Sequence, residues 1–161
     1  MKNEIYDNML SAYGATTEQE RRNAIFEVNQ QVILAGLYNG GFFDMAAFYG
    51  GTCLRIFQGL QRFSEDMDFS LLAPDDKFDF TKYFQPIIDE FAIVGREVEI
   101  KKKDKKNFGK VESAFLKDNT DVYDISFQTD KSIKIKIEVD TQPPLKFRTE
   151  QKLLLQPHSF M

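Results

Sequence analysis

The chain has 161 residues, 42% of them hydrophobic, which suits one globular domain with a substantial core. Its net charge of −4 argues against a uniformly basic nucleic-acid binder. The sequence contains no apolar run long enough to span a membrane and no signal-peptide pattern. The single cysteine, Cys53, fits a reducing cytoplasm, and one histidine, His158, argues against a zinc site within the chain. We therefore expect a cytoplasmic domain without membrane association.

Helices and short strands alternate in the first ninety residues. The capping-box pair Thr17 and Glu20 begins a long helix, and Asn39-Gly40-Gly41 ends it. Pro86 predicts a kink or a late start in the last of these helices. The predicted helices span residues 17–39, 52–58 and 81–93, and the predicted strands span residues 45–49 and 62–72.

From residue 96 onward the apolar residues recur with a period of two, which indicates strands. Asn119-Thr120-Asp121 and Thr129-Asp130-Lys131-Ser132 are typical of hairpin turns. The predicted strands here span residues 97–103, 108–117, 121–128 and 132–140. The order of elements predicts an α+β fold over residues 1–161, in which helices flank a mostly antiparallel or mixed sheet.

The most informative chemistry lies in Asp66-Met67-Asp68, a pair of carboxylates two residues apart on a predicted strand. Alternate residues of a strand share a face, so Asp66 and Asp68 are expected to point the same way while Met67 enters the core. Two such carboxylates repel each other unless a cation lies between them, and hard oxygen ligands suit Mg²⁺. The upstream Gly50-Gly51-Thr52 turn offers backbone N–H groups to a phosphate, although a simple helix N-cap has the same pattern. Metal ligands beside a phosphate cradle indicate phosphoryl or nucleotidyl transfer.

A second set of charged residues follows on the predicted strand 132–140, where apolar and polar residues alternate strictly. One face carries Lys134, Lys136, Glu138 and Asp140. A third carboxylate on a neighbouring strand would complete a two-metal site, and Glu138 or Asp140 could supply it. The alternative interpretation is the plain solvent-exposed face of an amphipathic strand.

Other basic residues allow weaker inferences. Five lysines within residues 101–106 form a local basic patch, which either steers a phosphate-rich partner or is a solvated loop. Arg55 and Arg62 could contact phosphate, but pairing with Glu65 or with a backbone carbonyl is the simpler expectation.

Two segments closely resemble the signature of the AbiEii-type nucleotidyltransferases, which are toxins of bacterial toxin–antitoxin and phage-abortive systems in the DNA polymerase β-like superfamily. The segments are Gly-Gly-Thr-Cys-Leu-Arg at residues 50–55 and Gly-Leu-Gln-Arg-Phe-Ser-Glu-Asp-Met-Asp-Phe at residues 59–69. The resemblance implies that a nucleotide is transferred from an NTP to an RNA hydroxyl, tRNA 3′ ends included, with Mg²⁺ or Mn²⁺ as cofactor. It also implies an antitoxin as protein partner.

The same resemblance assigns roles to individual residues. Lys136-Ile137-Glu138 resembles the lysine-x-acid element of the family and favours Glu138 over Asp140 as the third carboxylate. The implied metal and catalytic residues are Asp66, Asp68 and Glu138, and the implied nucleotide-binding residues are Gly50, Gly51, Thr52 and Lys136. Lys136 would neutralise the triphosphate or pair with a carboxylate.

Members of this family usually continue into a largely helical second half, whereas the present sequence ends at Met161. We therefore expect a nucleotidyltransferase-like domain without that half, and homo-oligomers formed through its unfinished apolar surface. Two other functions stay open. The chain could be a non-catalytic protein that binds an antitoxin or another protein, or a small-molecule nucleotidyltransferase of the antibiotic-modifying kind.

Overall fold

The computed structural model describes residues 4–59, 61, 63–103 and 120–143. Short 3₁₀ turns at Phe42–Asp44 and Phe80–Tyr83 accompany the main elements. The helices are α1 (Glu4–Ser11), α2 (Glu18–Asn39), α3 (Gly50–Gln58) and α4 (Phe84–Ile93). The strands are β1 (Ala46–Tyr49), β2 (Met67–Leu71), β3 (Val98–Lys102), β4 (Thr120–Phe127) and β5 (Lys134–Asp140).

The five strands form one mixed sheet in the order β1-β2-β5-β4-β3. The central neighbours β2 and β5 run parallel, and every other neighbouring pair is antiparallel. This arrangement confirms the predicted α+β fold with a mixed sheet. It also places the two strands that carry the predicted carboxylates side by side in the middle of the sheet.

Most predicted elements are present with shifted ends. β2 begins at Met67 rather than near residue 62, and α3 begins at Gly50 rather than Thr52. α4 begins at Phe84, so Pro86 lies in its first turn, where the missing N–H would have no intrahelical acceptor. The helix α1 was not predicted, because its eight residues show only a short amphipathic pattern.

The two predicted hairpin turns have different outcomes. The turn at residues 129–132 is confirmed, and Asp130 Oδ1 accepts a hydrogen bond from the Ser132 backbone N–H at 3.0 Å. The turn at residues 119–121 is wrong in part, because Thr120 and Asp121 already pair with β5. The predicted strand at residues 108–117 lies outside the described residues.

The apolar face of the sheet joins the helices in a single core. Its alternate residues Met67, Phe69 and Leu71 on β2 are buried, and so are Ile135, Ile137 and Val139 on β5. Helices α2 and α4 cross closely at Gly36, where an added Cβ would lie 2.8 Å from the Ile87 Cα. Phe42 makes edge-on contacts with several rings, as expected for a phenylalanine-rich core. Burial of the apolar face leaves the opposite face of β2 and β5 for charged side chains.

No helix in the described part of the chain has both the length and the hydrophobicity that a membrane crossing requires.

Candidate active site

Two carboxylates meet at the centre of the sheet, on the face opposite the core. The register of the parallel pair places Asp68 of β2 directly opposite Glu138 of β5. Neighbouring strands lie about 4.8 Å apart, so the two side chains are within reach of each other. Burial, followed by a side-chain hydrogen bond with Glu138, raises the pKa of Asp68 to about 7. This carboxylate pair therefore favours a proton or another cation between its members.

Asp66 reaches the same face by a different route from the one predicted. It precedes β2 instead of belonging to it, but continuing the β2–β5 register by one residue brings it opposite Lys136. Lys136 Nζ lies 3.8 Å from Asp66 Oδ2 and 3.6 Å from Glu138 Oε1. Partial burial raises the pKa of Asp66, and the Lys136 ammonium opposes this effect. Because Lys136 contacts both Asp66 and Glu138, and Glu138 lies opposite Asp68, Asp66 and Asp68 lie on the same side of the sheet, as expected.

Asp140, the alternative third carboxylate, lies farther along β5. It is buried, and in the register it lies opposite Ser70. Its Oδ1 accepts a hydrogen bond from the Gln142 backbone N–H at 2.9 Å, which ties it to the end of the strand. Of the two candidates, Glu138 is the one that lies directly opposite Asp68 in the register.

The Gly50-Gly51-Thr52 turn packs directly against the carboxylates. Gly50 has φ +83°, and a Cβ added there would lie 2.5 Å from Asp68 Oδ2. The buried Thr52 hydroxyl donates a hydrogen bond to the Asp66 backbone carbonyl. Gly50 therefore allows the turn to approach the carboxylates closely, and the Thr52 hydrogen bond connects the turn to the segment that carries them.

In the turn, the Thr52 hydroxyl and the backbone N–H groups have different surroundings. The Thr52 hydroxyl donates its proton to the Asp66 carbonyl within the protein, and the phosphate contact of Thr52 stays a prediction. The backbone N–H groups of Gly51 and Thr52 lie in the first turn of α3, where N–H groups lack intrahelical acceptors. These backbone groups are the ones that could face a phosphate.

Arg55 supports the site from behind. Its Nε donates to Glu27 Oε2 at 3.0 Å, its Nη1 donates to the Gln61 carbonyl at 3.4 Å, and its guanidinium lies 3.9 Å from the Phe63 ring centroid. The expected backbone partner is confirmed, but the acidic partner is Glu27 rather than Glu65. The buried Glu27 comes from α2, so the sequence between residues 50 and 69 held no signal for it.

The segment before β2 is held by α2 as well. The buried Gln30 amide donates to the carbonyls of Ser64 and Glu65 at 2.6 and 3.2 Å. The Glu65 side chain pairs instead with Arg22 at 3.9 Å and is 63% exposed. Arg62 lies outside the described residues.

Tyr49 is a site residue that was not predicted. It ends β1, lies opposite Asp68 in the register and is 47% exposed. Burial of the phenol, together with the charges of Asp68, Asp140 and Glu138, raises its pKa to about 12. Its position immediately before the glycine turn was the only signal in the sequence.

Two lysines of the predicted basic patch lie on the strand at one edge of the sheet. Lys101 and Lys102 lie on β3, which β4 and β5 separate from β2. Their ammonium groups lie 3.5 Å from Glu99 and 3.7 Å from Asp121, respectively. Residues 104–106 and His158 lie outside the described residues.

The donor set at the site consists of hard carboxylate oxygens. Within the described ranges no three acidic, histidine or cysteine side chains converge tightly enough to form a ready-made metal cage. Instead, Asp68 and Glu138 lie opposite each other in the register, and the Lys136 cation links Glu138 to Asp66. Carboxylates that already require a cation between them suit Mg²⁺ or Mn²⁺.

Comparison with known proteins defines the class. Residues 32–161 match the family described as nucleotidyl transferase AbiEii toxin, type IV toxin–antitoxin system. The chain therefore belongs to the AbiEii nucleotidyltransferase toxin family, as the two signature segments predicted. No curated protein sequence matches it.

Solved structures similar to the chain at low sequence identity include the following two. JHP933 from Helicobacter pylori is 18% identical, with a TM-score of 0.47 over 78% of this chain and 45% of that protein. The nucleotidyltransferase toxin MenT4 from Mycobacterium tuberculosis H37Rv is 21% identical, with a TM-score of 0.48 over 87% of this chain and 43% of that protein. The chain thus spans less than half the length of either protein.

Proposed function

We propose that this chain carries the catalytic carboxylates of a metal-dependent nucleotidyltransferase that moves a nucleotide from an NTP to an RNA hydroxyl. Family membership supports the reaction class. The observation that carries the proposal is the register between β2 and β5, which sets Asp68 opposite Glu138 beside the glycine turn. The proposed partners are the NTP, an RNA acceptor such as tRNA, and an antitoxin.

Asp66, Asp68 and Glu138 are the proposed metal ligands and would hold the cation through their carboxylate oxygens. A bound Mg²⁺ or Mn²⁺ would supply charge neutralisation and orientation of the triphosphate. The backbone N–H groups of Gly51 and Thr52 would bind phosphate oxygens at the start of α3. Gly50 would let this turn approach the carboxylates closely enough for both to contact the same NTP.

In the proposed transfer the acceptor hydroxyl oxygen attacks the α-phosphorus of the NTP. A P–O bond forms, the bond to pyrophosphate breaks, and the hydroxyl proton passes to a carboxylate. Glu138 is our choice for this proton acceptor, because it lies beside Asp68 on the neighbouring strand. Lys136, whose side chain is 30% exposed, would neutralise phosphate charge.

Label transfer tests the proposal. The protein is incubated with each α-labelled NTP, Mn²⁺ or Mg²⁺, and either total RNA or purified tRNA. Asp68→Asn should abolish labelling, because it removes one member of the central carboxylate pair. The matched control is Asp89→Asn, which changes an exposed carboxylate on α4 whose Oδ1 accepts from Gln85.

Each outcome of this assay has a defined meaning. RNA label that Asp68→Asn removes and Asp89→Asn retains would support the enzyme and identify its base and acceptor class. Label that appears only on a small-molecule hydroxyl would contradict the RNA acceptor. Absence of label on every acceptor, with normal binding of an antitoxin, would overturn catalysis by this chain and favour the binding function.

A further inference from the structure

Lys136 occupies an unusual position between carboxylates from two separate segments. Its Nζ lies 3.8 Å from Asp66 Oδ2, ahead of β2, and 3.6 Å from Glu138 Oε1, two residues along its own strand. Both distances are those of ion pairs. The ammonium therefore links the segment before β2 to the middle of β5.

The surroundings of this ammonium are strongly acidic. Asp68 lies opposite Glu138 in the β2–β5 register, and Asp124 of β4 lies opposite Lys136 in the β4–β5 register. One ammonium thus faces several carboxylates, and the excess negative charge leaves room for a stronger cation.

We propose that Lys136 is a resident counter-ion that occupies the cation position of the metal-free site and is displaced when a divalent metal binds. This inference rests on the proposed function, since it takes Asp66, Asp68 and Glu138 as the metal ligands. An ammonium and a divalent cation repel each other at such close range, so both cannot hold the same carboxylate oxygens. The four-carbon stem of Lys136 lets its ammonium move outward.

Displacement would give the residue a second task. Once Lys136 leaves Asp66 and Glu138, its ammonium points from the exposed side of β5 toward the space in front of the site. There it can bind a triphosphate that arrives with the metal. Metal occupancy and phosphate recognition would thereby be coupled through one side chain.

The test compares Lys136→Gln with Lys134→Gln in the absence of nucleotide. Lys134 lies on the same strand and the same face, is exposed, and pairs in the register with Ser126. Both variants lose one positive charge, so a difference in Mn²⁺ affinity between them reports competition between the Lys136 ammonium and the metal rather than the change in net charge. Mn²⁺ binding is measured by calorimetry and by electron paramagnetic resonance of the unbound ion.

The Lys136→Gln variant should bind Mn²⁺ about tenfold more tightly than the wild-type protein, whereas Lys134→Gln should change affinity by less than about threefold. The metal-free Lys136→Gln variant should also melt at a lower temperature, and saturating Mn²⁺ should raise its melting temperature more than that of the wild type.

The failures of the two proposals can be distinguished. Equal or weaker Mn²⁺ binding by Lys136→Gln, with wild-type binding that Asp68→Asn abolishes, would overturn the counter-ion proposal and leave the metal site intact. No Mn²⁺ binding by the wild type or by either lysine variant would overturn the metal site itself. Tighter binding in both lysine variants alike would also contradict the counter-ion role, because it would reflect net charge alone.

Discussion

The close approach of the glycine turn to the carboxylates can be tested with Gly50→Ala. A residue other than glycine at φ +83° costs about 1–2 kcal/mol. In addition, the new Cβ would lie 2.5 Å from Asp68 Oδ2, so the carboxylate must move. Overpacking of this kind costs about 1–3 kcal/mol. We therefore expect the free energy of unfolding to fall by about 2–5 kcal/mol.

Gly59→Ala is the matched control. Gly59 follows the other end of α3 at φ +73°, and a Cβ added there would meet no atom of the described residues within 4 Å. Gly59→Ala should lower the free energy of unfolding only by the backbone cost of about 1–2 kcal/mol. Urea unfolding monitored by circular dichroism, in the presence of a chelator, measures both variants.

A double-mutant cycle isolates the contact with Asp68. Asp68→Ala removes the carboxylate that the new Cβ would meet, so the double variant Gly50→Ala/Asp68→Ala should be less destabilised than the sum of the single variants. The expected coupling is about 1–2 kcal/mol. Additivity within about 0.5 kcal/mol, or equal losses in Gly50→Ala and Gly59→Ala, would refute the contact that sets the turn against the carboxylates.

Two further predictions concern the same segment. Because the pKa of Asp68 is raised from 3.8 to about 7, the metal-free folded state binds more protons than the unfolded state and loses stability as pH rises between these values. Asp68→Asn should remove this loss and raise the free energy of unfolding at pH 8 by about 1–3 kcal/mol, a range that allows for partial exposure of the side chain. A pH profile of urea midpoints that is the same in Asp68→Asn and the wild type would contradict this prediction. Thr52→Val should cost about 1–2 kcal/mol by leaving the Asp66 carbonyl without its hydroxyl donor, while Thr52→Ser retains most stability. Equal midpoints for these two variants would exclude a role for the hydrogen bond.

The sequence by itself determined most of the described elements and the carboxylates and lysine at the site. Period-two alternation in residues 134–140 marks one apolar and one charged face whatever lies beside the strand, and the structure has both. The two signature segments led to the AbiEii family, to which the chain belongs. Capping and periodicity depend on residues close together in the chain. They predicted the start of α2 at Thr17 correctly, but they placed the start of β2 too early.

The tertiary structure decided which of these residues meet. The parallel register of β2 and β5 joins Asp68 to Glu138 across about seventy residues of chain, and no local pattern specifies a pairing of that range. The same holds for Glu27, which reaches Arg55 from α2, and for Tyr49, whose surroundings are set by strand pairing. Sequence patterns specify the face on which a side chain lies. Its neighbours depend on how distant segments pack, and for this reason Lys136 could be identified as the link between Asp66 and Glu138 only from the folded structure.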